Sequence, residues 1–318
     1  VTAAGQSTSA GADRGAERAK GGNVGYVLVA AAATAWGTWP LILRHAVMPA
    51  SLQAAILMVM LTLFSLPVML KDRVRARARP VHWLGVAWLG VADALNVALF
   101  FAAYQRTSVA IAVLTHYFTP VFVALAAPLV LRERAHSRTF SAVAVSFAGL
   151  VLLLSPWKST LSASDLAGAA LGAGSAVFYA SNVLVNKRLA HVFSGSELMF
   201  FHGFIAIPLL WAMVPNGALA AVSTSSIVVV ALGALGPGVL GGLTFVWGLR
   251  RIAASHASIL TLLEPFVAVM AAALFLEQRL GQCQILGGIL IVLGAILVIT
   301  ARPPRGVDIG EESTTATP

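Results

Sequence analysis

The stretch "LRRIAASHASILTLLEPFVAVMAAALFLEQR" (residues 249–279) sets a carboxylate, Glu264, beside a proline, Pro265, inside a long apolar run. No cation lies near Glu264 in the local sequence, and Pro265 removes a backbone donor. The same pattern occurs 145 residues earlier, where "YQRTSVAIAVLTHYFTPVFVALAAPLVLRER" (104–134) aligns with it without a gap. That offset places Arg106 over Arg251, Pro120 over Pro265 and Gly149 over Gly294. Glu133 and Glu277 correspond with a slip of one residue, and "WGTWPLILR" (36–44) weakly echoes "YASNVLVNK" (179–187).

The solvent around such a stretch follows from composition. The chain of 318 residues is 58% hydrophobic and 10% charged, with a mean hydropathy of +0.87. Soluble domains carry about 25% charged residues, and their helices keep a polar face. Most segments here have none, so the chain is expected to be an all-α integral membrane protein. A hydrocarbon core about 30 Å thick takes about 20 apolar residues per helix. Ten spans are expected, at 24–43, 52–70, 83–102, 109–131, 139–155, 166–186, 198–214, 227–248, 257–276 and 283–300. A β-barrel would need alternating strands, which the pattern lacks.

Threading ten spans from an inside N-terminus puts 17 Lys and Arg on one face and 4 on the other. The positive-inside rule then makes that richer face, with both termini, cytoplasmic. This bias also accounts for the net charge of +9 without nucleic acid. Residues 1–23 and 301–318 are polar and are expected to be disordered cytoplasmic tails; the organised units are 24–155 and 166–300. Each unit has five spans, an odd number, so the second enters the membrane inverted. Inverted repeats are the architecture of many secondary transporters, whose site lies near the midplane between the repeats.

Trp36-Gly37, "TSVAIAVLTHYFTPVF" ending in "LRER", and "ASHASILTLLEPFVAVMAAALFLEQRLGQCQILGGILIVLGAILVI" resemble the tandem EamA domains of the drug/metabolite transporter superfamily. The resemblance covers about residues 25–300. It implies a ten-helix transporter of two inverted five-helix repeats, both termini cytoplasmic, with a cavity lined mainly by spans 1, 3, 4, 6, 8 and 9. Relatives move amino acids, other metabolites or drugs, often outward, so export is the expected direction; Ala-, Gly- and Arg-rich usage with no organelle signal makes a bacterial inner membrane the expected place. Facilitated or uptake transport, or binding and sensing without transport, are the alternatives. The first repeat departs from the usual Gly-Glu or Lys-Glu pair by reading "RER", in a loop.

Candidate residues are polar groups in the wrong solvent. An acid at mid-membrane costs about 2.5–3.5 kcal/mol on insertion scales and marks a buried or wet site. Glu264 either exchanges a proton or holds a cation, or else donates to the Thr261 carbonyl freed by Pro265. Asp93 and Asn96, one turn apart, form either a site for an amine or proton or an interhelical clamp. His116 and Tyr117, with the Pro120 kink beyond them, fit either a relay or ligand contact or a histidine hydrogen-bonded within the bundle. Trp36, Tyr179, Asn182 and Trp247 add aromatic and amide candidates for an apolar or cationic solute. The glycines around Pro237 predict close helix approach or a hinge. His202 and His256, near span ends, are expected at the interface. The single Cys283 excludes a CxxC site. No phosphate-binding loop, HExxH or nucleophile elbow occurs, so no enzyme, metal or cofactor is expected. An ion gradient or a partner must then supply the energy of any pumping, with protons one candidate.

Overall fold

A backbone crossing lipid must satisfy its own hydrogen bonds, and the helix does this within one segment. The computed structural model describes residues 23–72, 78–134, 136–158 and 162–300, and it contains helices and no strand among them. In chain order the long elements are α1 (Asn23–Leu43), α2 (Ala50–Lys71), α3 (Pro80–Tyr104), α4 (Val109–Val130), α5 (Ser137–Leu154), α6 (Ala163–Leu189), α7 (Gly195–Trp211), α8 (Thr224–Leu249), α9 (Ala254–Phe275) and α10 (Gln282–Thr300). Nine are long and apolar enough to cross a membrane; α7, with 17 residues, is apolar but short. It begins before the expected 198 because Ser194 and Glu197 cap each other: the Glu197 N–H donates to Ser194 Oγ at 3.1 Å, and the Ser194 N–H to Glu197 Oε2 at 2.9 Å. Residues 1–22 and 301–318 of the expected tails lie outside the described residues, as do Arg73, Arg75 and Arg77.

The offset read from sequence is a structural offset. Ala50 and Gly195, Val109 and Ala254, and Ser137 and Gln282 each begin corresponding helices. After α4 and α9 the chain turns through a left-handed residue, Arg132 at φ 56° and Glu277 at φ 55°. These two are therefore counterparts, and the slip that paired Glu133 with Glu277 is corrected: Glu133 corresponds to Gln278.

Inversion of the second repeat is visible where α5 meets α10. A Cβ on Gly149 would lie 2.7 Å from the Gly287 carbonyl oxygen, and one on Gly294 would lie 3.1 Å from the Ala142 carbonyl oxygen. Ala142 corresponds to Gly287 and Gly149 to Gly294, so one contact is used twice. Climbing α5 from Ala142 to Gly149 means descending α10 from Gly294 to Gly287. The equivalent helices are antiparallel, which places their two-fold axis across the bundle and turns one repeat upside down. Only glycine permits so close a backbone approach.

The outside of the bundle is apolar. Leu84, Leu129, Leu166, Leu274 and Phe275 are each more than 70% exposed, a surface suited to acyl chains. The largest core cluster, including Val29, Val123, Val183, Leu249 and Leu260, joins the two repeats through α1, α4, α6, α8 and α9.

Candidate functional site

Two broken helices flank the centre. α4 stops at His116 and restarts at Thr119; α9 stops at Leu260 and restarts at Leu263. Pro120 and Pro265 fall in the first turn of the restarted segment, where an N–H has no intrahelical partner to lose. The carbonyls at the breaks are served differently. Thr119 Oγ1 donates to the His116 oxygen at 2.8 Å, whereas the Thr261 oxygen accepts from the backbone N–H of Glu264 at 2.9 Å. The backbone therefore patches the second kink, which leaves the Glu264 carboxyl for other partners. Thr261 itself is 1% exposed and donates to the Ser258 carbonyl at 2.7 Å, so it turns into its own helix.

Pro237 sits in a π-helical segment, Ala234–Leu240, within α8. Wide turns of this kind absorb a proline's missing donor. The glycines near it allow close approach: a Cβ on Gly238 would meet Leu61 at 2.5 Å and one on Gly241 would meet Trp36 at 3.0 Å.

Between the kinks lies a polar centre built mostly on α3 and α6. Asn182 Nδ2 donates to Asp93 Oδ1 at 3.3 Å, and His202 Nε2 on α7 stands 3.8 Å from Asp93 Oδ2. The side chains of His202 and Asp93 keep 18% and 25% of their area accessible, so neither is sealed in the core. One turn on, Ser175 donates to Asn96 Oδ1 at 2.9 Å, and His116 Nδ1 lies 2.7 Å from the same hydroxyl. Ser175 has one proton and spends it on Asn96, so His116 Nδ1 carries a hydrogen and Nε2 presents a lone pair when the ring is neutral. The imidazole lies flat on Tyr179, with centroids 5.4 Å apart and planes 8° apart, and against Phe100 at 4.3 Å.

Glu264 completes the centre. Its carboxyl interacts with the side chain of Tyr117, and Tyr104 and Tyr179 stand within reach of its charge. Tyr179 also feels Asp93, so it links the acid of the first repeat with that of the second. No Lys or Arg occupies the middle of any described helix.

Other expected residues lie elsewhere. Trp36 is partly buried against Phe245 at 5.1 Å, beside the cluster. Trp247 is 40% exposed and its carbonyl accepts from Arg251, away from this centre. The interfacial placement of His202 is corrected, since it lies midway along α7, whereas His256 does stand at a span end, in the first turn of α9. His202 pairs with Asp93, and His256 is turned inward between Tyr26 (2.7 Å) and Thr139 (3.3 Å). An apolar groove of about 350 Å³ between α9 and α10, lined by Phe266, Val269, Ile289 and Leu293, contains no acid or histidine and is separate from the polar centre.

At the Lys/Arg-rich end the loop from α8 to α9 is clamped. Both Glu133 oxygens accept from the Ala254 N–H, at 3.1 and 2.9 Å, capping α9, while Lys187 Nζ donates to the Leu249 and Ile252 carbonyls at 2.5 and 2.7 Å. Burial pushes the Glu133 carboxyl above its ordinary value, and the Ala254 N–H and Lys187 only partly offset this. Arg250, whose guanidinium is pushed below its ordinary range by burial and by Arg251, donates to the Phe193 carbonyl next door.

Comparison with known proteins agrees with this architecture. A solved crystal structure superposes with a TM-score of 0.75 over 87% of this chain and 98% of that one, at 17% identity, which speaks to fold alone. An uncharacterised transporter, YxxF, of Bacillus subtilis (strain 168) is 28% identical over 210 residues, covering 65% of this chain and 67% of the relative. Protein PecM of Dickeya dadantii (strain 3937) is 30% identical over 236 residues, 69% of this chain and 75% of the relative. The family model of the EamA-like transporters matches twice in tandem, at 23–155 and 166–300. Two inverted five-helix repeats around a polar midplane, each matched by that family, make this chain a member of the EamA-like transporter family of membrane transporters.

Proposed function

We propose that the protein is a secondary transporter that carries a small organic solute by alternating access, its two repeats rocking about the polar centre. The observation that supports this most is the placement of Asp93 in one repeat and Glu264 in the other, both near helix midpoints and both felt by Tyr179. Charge in mid-membrane is costly and marks a pathway. Kinked segments at matched places in both halves are a further pointer to a site between them.

Protons supply the drive in this reading. His202 Nδ1 faces the Leu198 carbonyl at 2.7 Å and must carry a hydrogen, so a neutral ring points its Nε2 lone pair at Asp93. A proton placed there turns two facing acceptors into an attractive pair, and a substrate that claims Asp93 displaces it. Export from a bacterial inner membrane is favoured by the family resemblance, and both termini inside by the split of 17 to 4 basic residues.

Purified protein in proteoliposomes under an imposed pH gradient, screened against amines, amino acids and drugs, tests this. Solute flux driven by the gradient is expected. Binding without flux in either orientation overturns transport and leaves a membrane-embedded sensor.

A further inference from the structure

We propose that the solute bound at the polar centre is an organic amine, its protonated nitrogen held by Glu264, Asp93 and Asn182 and its apolar body lying against Tyr104 and Tyr179. This rests on the transporter reading for its biological meaning but makes a claim about binding that stands or falls by itself.

The first observation is charge. Two carboxyls occupy the middle of the bundle, and no Lys or Arg is there to answer them. Asp93 has His202 at 3.8 Å; Glu264 forms no ion pair among the described residues. A carboxylate left without a cation in a low-dielectric centre attracts one.

The second observation is independent of charge. Asn182 is 8% exposed, and its Oδ1 is buried with no hydrogen-bond partner. Its Nδ2 already donates to Asp93, which fixes the amide with its oxygen as the spare atom, since the reverse orientation would press two acceptors together. An orphaned buried acceptor costs about 1–3 kcal/mol, and a donor from outside the chain would relieve it. Ser175, Tyr179 and Asn182 recur at one-turn spacing, so they share one face of α6. That face therefore offers an acceptor beside the ring that feels both acids.

The third is the wall. Tyr104 and Tyr179 lie within electrostatic reach of Glu264, Tyr179 is stacked in a row of rings with His116, and aromatic faces attract cations while covering apolar groups. An acid, a spare acceptor and two rings together select a solute with N–H donors on a positive nitrogen and a flat or apolar remainder. A quaternary ammonium satisfies the charge but has no N–H for Asn182. A neutral alcohol can donate to Asn182 but carries no charge for the acids, and a carboxylate meets neither requirement.

Equilibrium binding to the purified full chain in nanodiscs tests this with four probes sharing one phenyl-ethyl skeleton: phenethylamine, its N-trimethyl derivative, phenethyl alcohol and phenylpropionate. Phenethylamine is expected to bind most tightly, the trimethyl form about tenfold more weakly, and the alcohol and acid more weakly still. Glu264→Gln and Asn182→Leu are each expected to weaken phenethylamine about tenfold, with Asn182→Leu leaving the trimethyl probe unchanged. Equal or tighter binding of the alcohol or acid overturns the proposal, and so does an amine affinity unmoved by Glu264→Gln. The probe ranking on the unaltered protein decides the matter even where a variant fails to fold. Amine binding without flux sinks transport but keeps this assignment; flux of neutral or anionic solutes alone does the reverse.

Discussion

Thr119 and Glu264 hold the same position in the two repeats, each the residue before its proline, and they use their side chains differently. The Thr119 hydroxyl closes the break in α4 by donating to His116 at 2.8 Å, while in α9 the Glu264 backbone does that work at 2.9 Å. Duplication thus produced one kink that consumes its polar side chain and one that releases it into the centre.

Thr119→Val is therefore expected to cost about 1 kcal/mol of stability, since it leaves a carbonyl unserved. Glu264→Gln should shift the melting temperature little while abolishing gradient-driven flux. Thermal melts beside proteoliposome flux separate the two; a Glu264→Gln protein with normal flux removes Glu264 from the transport cycle.

Gly287→Ala should separate α5 from α10. Its Cβ would meet the Gly149 oxygen and the Leu153 nitrogen, each at 2.5 Å, and both are backbone atoms that cannot rotate away. A cost of about 1–3 kcal/mol is expected for such overpacking. Gly174→Ala is the control: its nearest neighbour would be a Leu99 methyl at 3.4 Å, and the gain of a better helix former offsets any crowding. Equal melting temperatures for the two variants would refute the tight crossing.

Glu133 makes stability fall with pH. Its folded value is raised by burial, so the folded chain binds this proton more tightly than the unfolded one. The advantage is complete below the ordinary value of 4.5 and is lost as pH rises through the raised one. Glu133→Gln retains an acceptor for the Ala254 N–H and cannot ionise. Across this window the unaltered protein should lose stability relative to Glu133→Gln, measured as melting temperature in detergent. A gap that moves the other way contradicts the burial account.

Cys283 is the one thiol and is exposed in the first turn of α10. The proposed topology, with both termini cytoplasmic, puts this turn on the outer side. A membrane-impermeant maleimide should label Cys283 in intact cells or spheroplasts, and reporters on both termini should register inside. Labelling only after permeabilisation reverses the orientation.

The repeat was legible because its punctuation is made of residues that apolar drift does not supply: paired arginines, prolines and glycines at one spacing. Asp93 and Glu264 were equally plain, being acids in a stretch with no cation. His202 was missed for a physical reason. Its partner Asp93 lies on another helix, its counterpart in the first repeat is Leu57, and the capping box at Ser194 had shifted the expected frame of α7. Ser175 and Tyr104 were hidden too, one among small residues of α6 and one at a helix end. The i, i+4, i+7 spacing of Ser175, Tyr179 and Asn182 was the available signal for Ser175. Trp247 was chosen for its residue type, and the direction a ring faces on a uniformly apolar helix leaves no periodic trace.

Because the halves match residue for residue through the left-handed turns at Arg132 and Glu277, their divergence there has come from exchange of side chains and not from inserted or lost ones. Each half thus shares the other's backbone path but not its side-chain packing, as Ala142 and Gly287 show. Transplanting a counterpart leaves the backbone path alone and tests the packing around it, so Thr119→Glu would move charge from one side of the centre to the other at the cost of the bond that closes the break in α4.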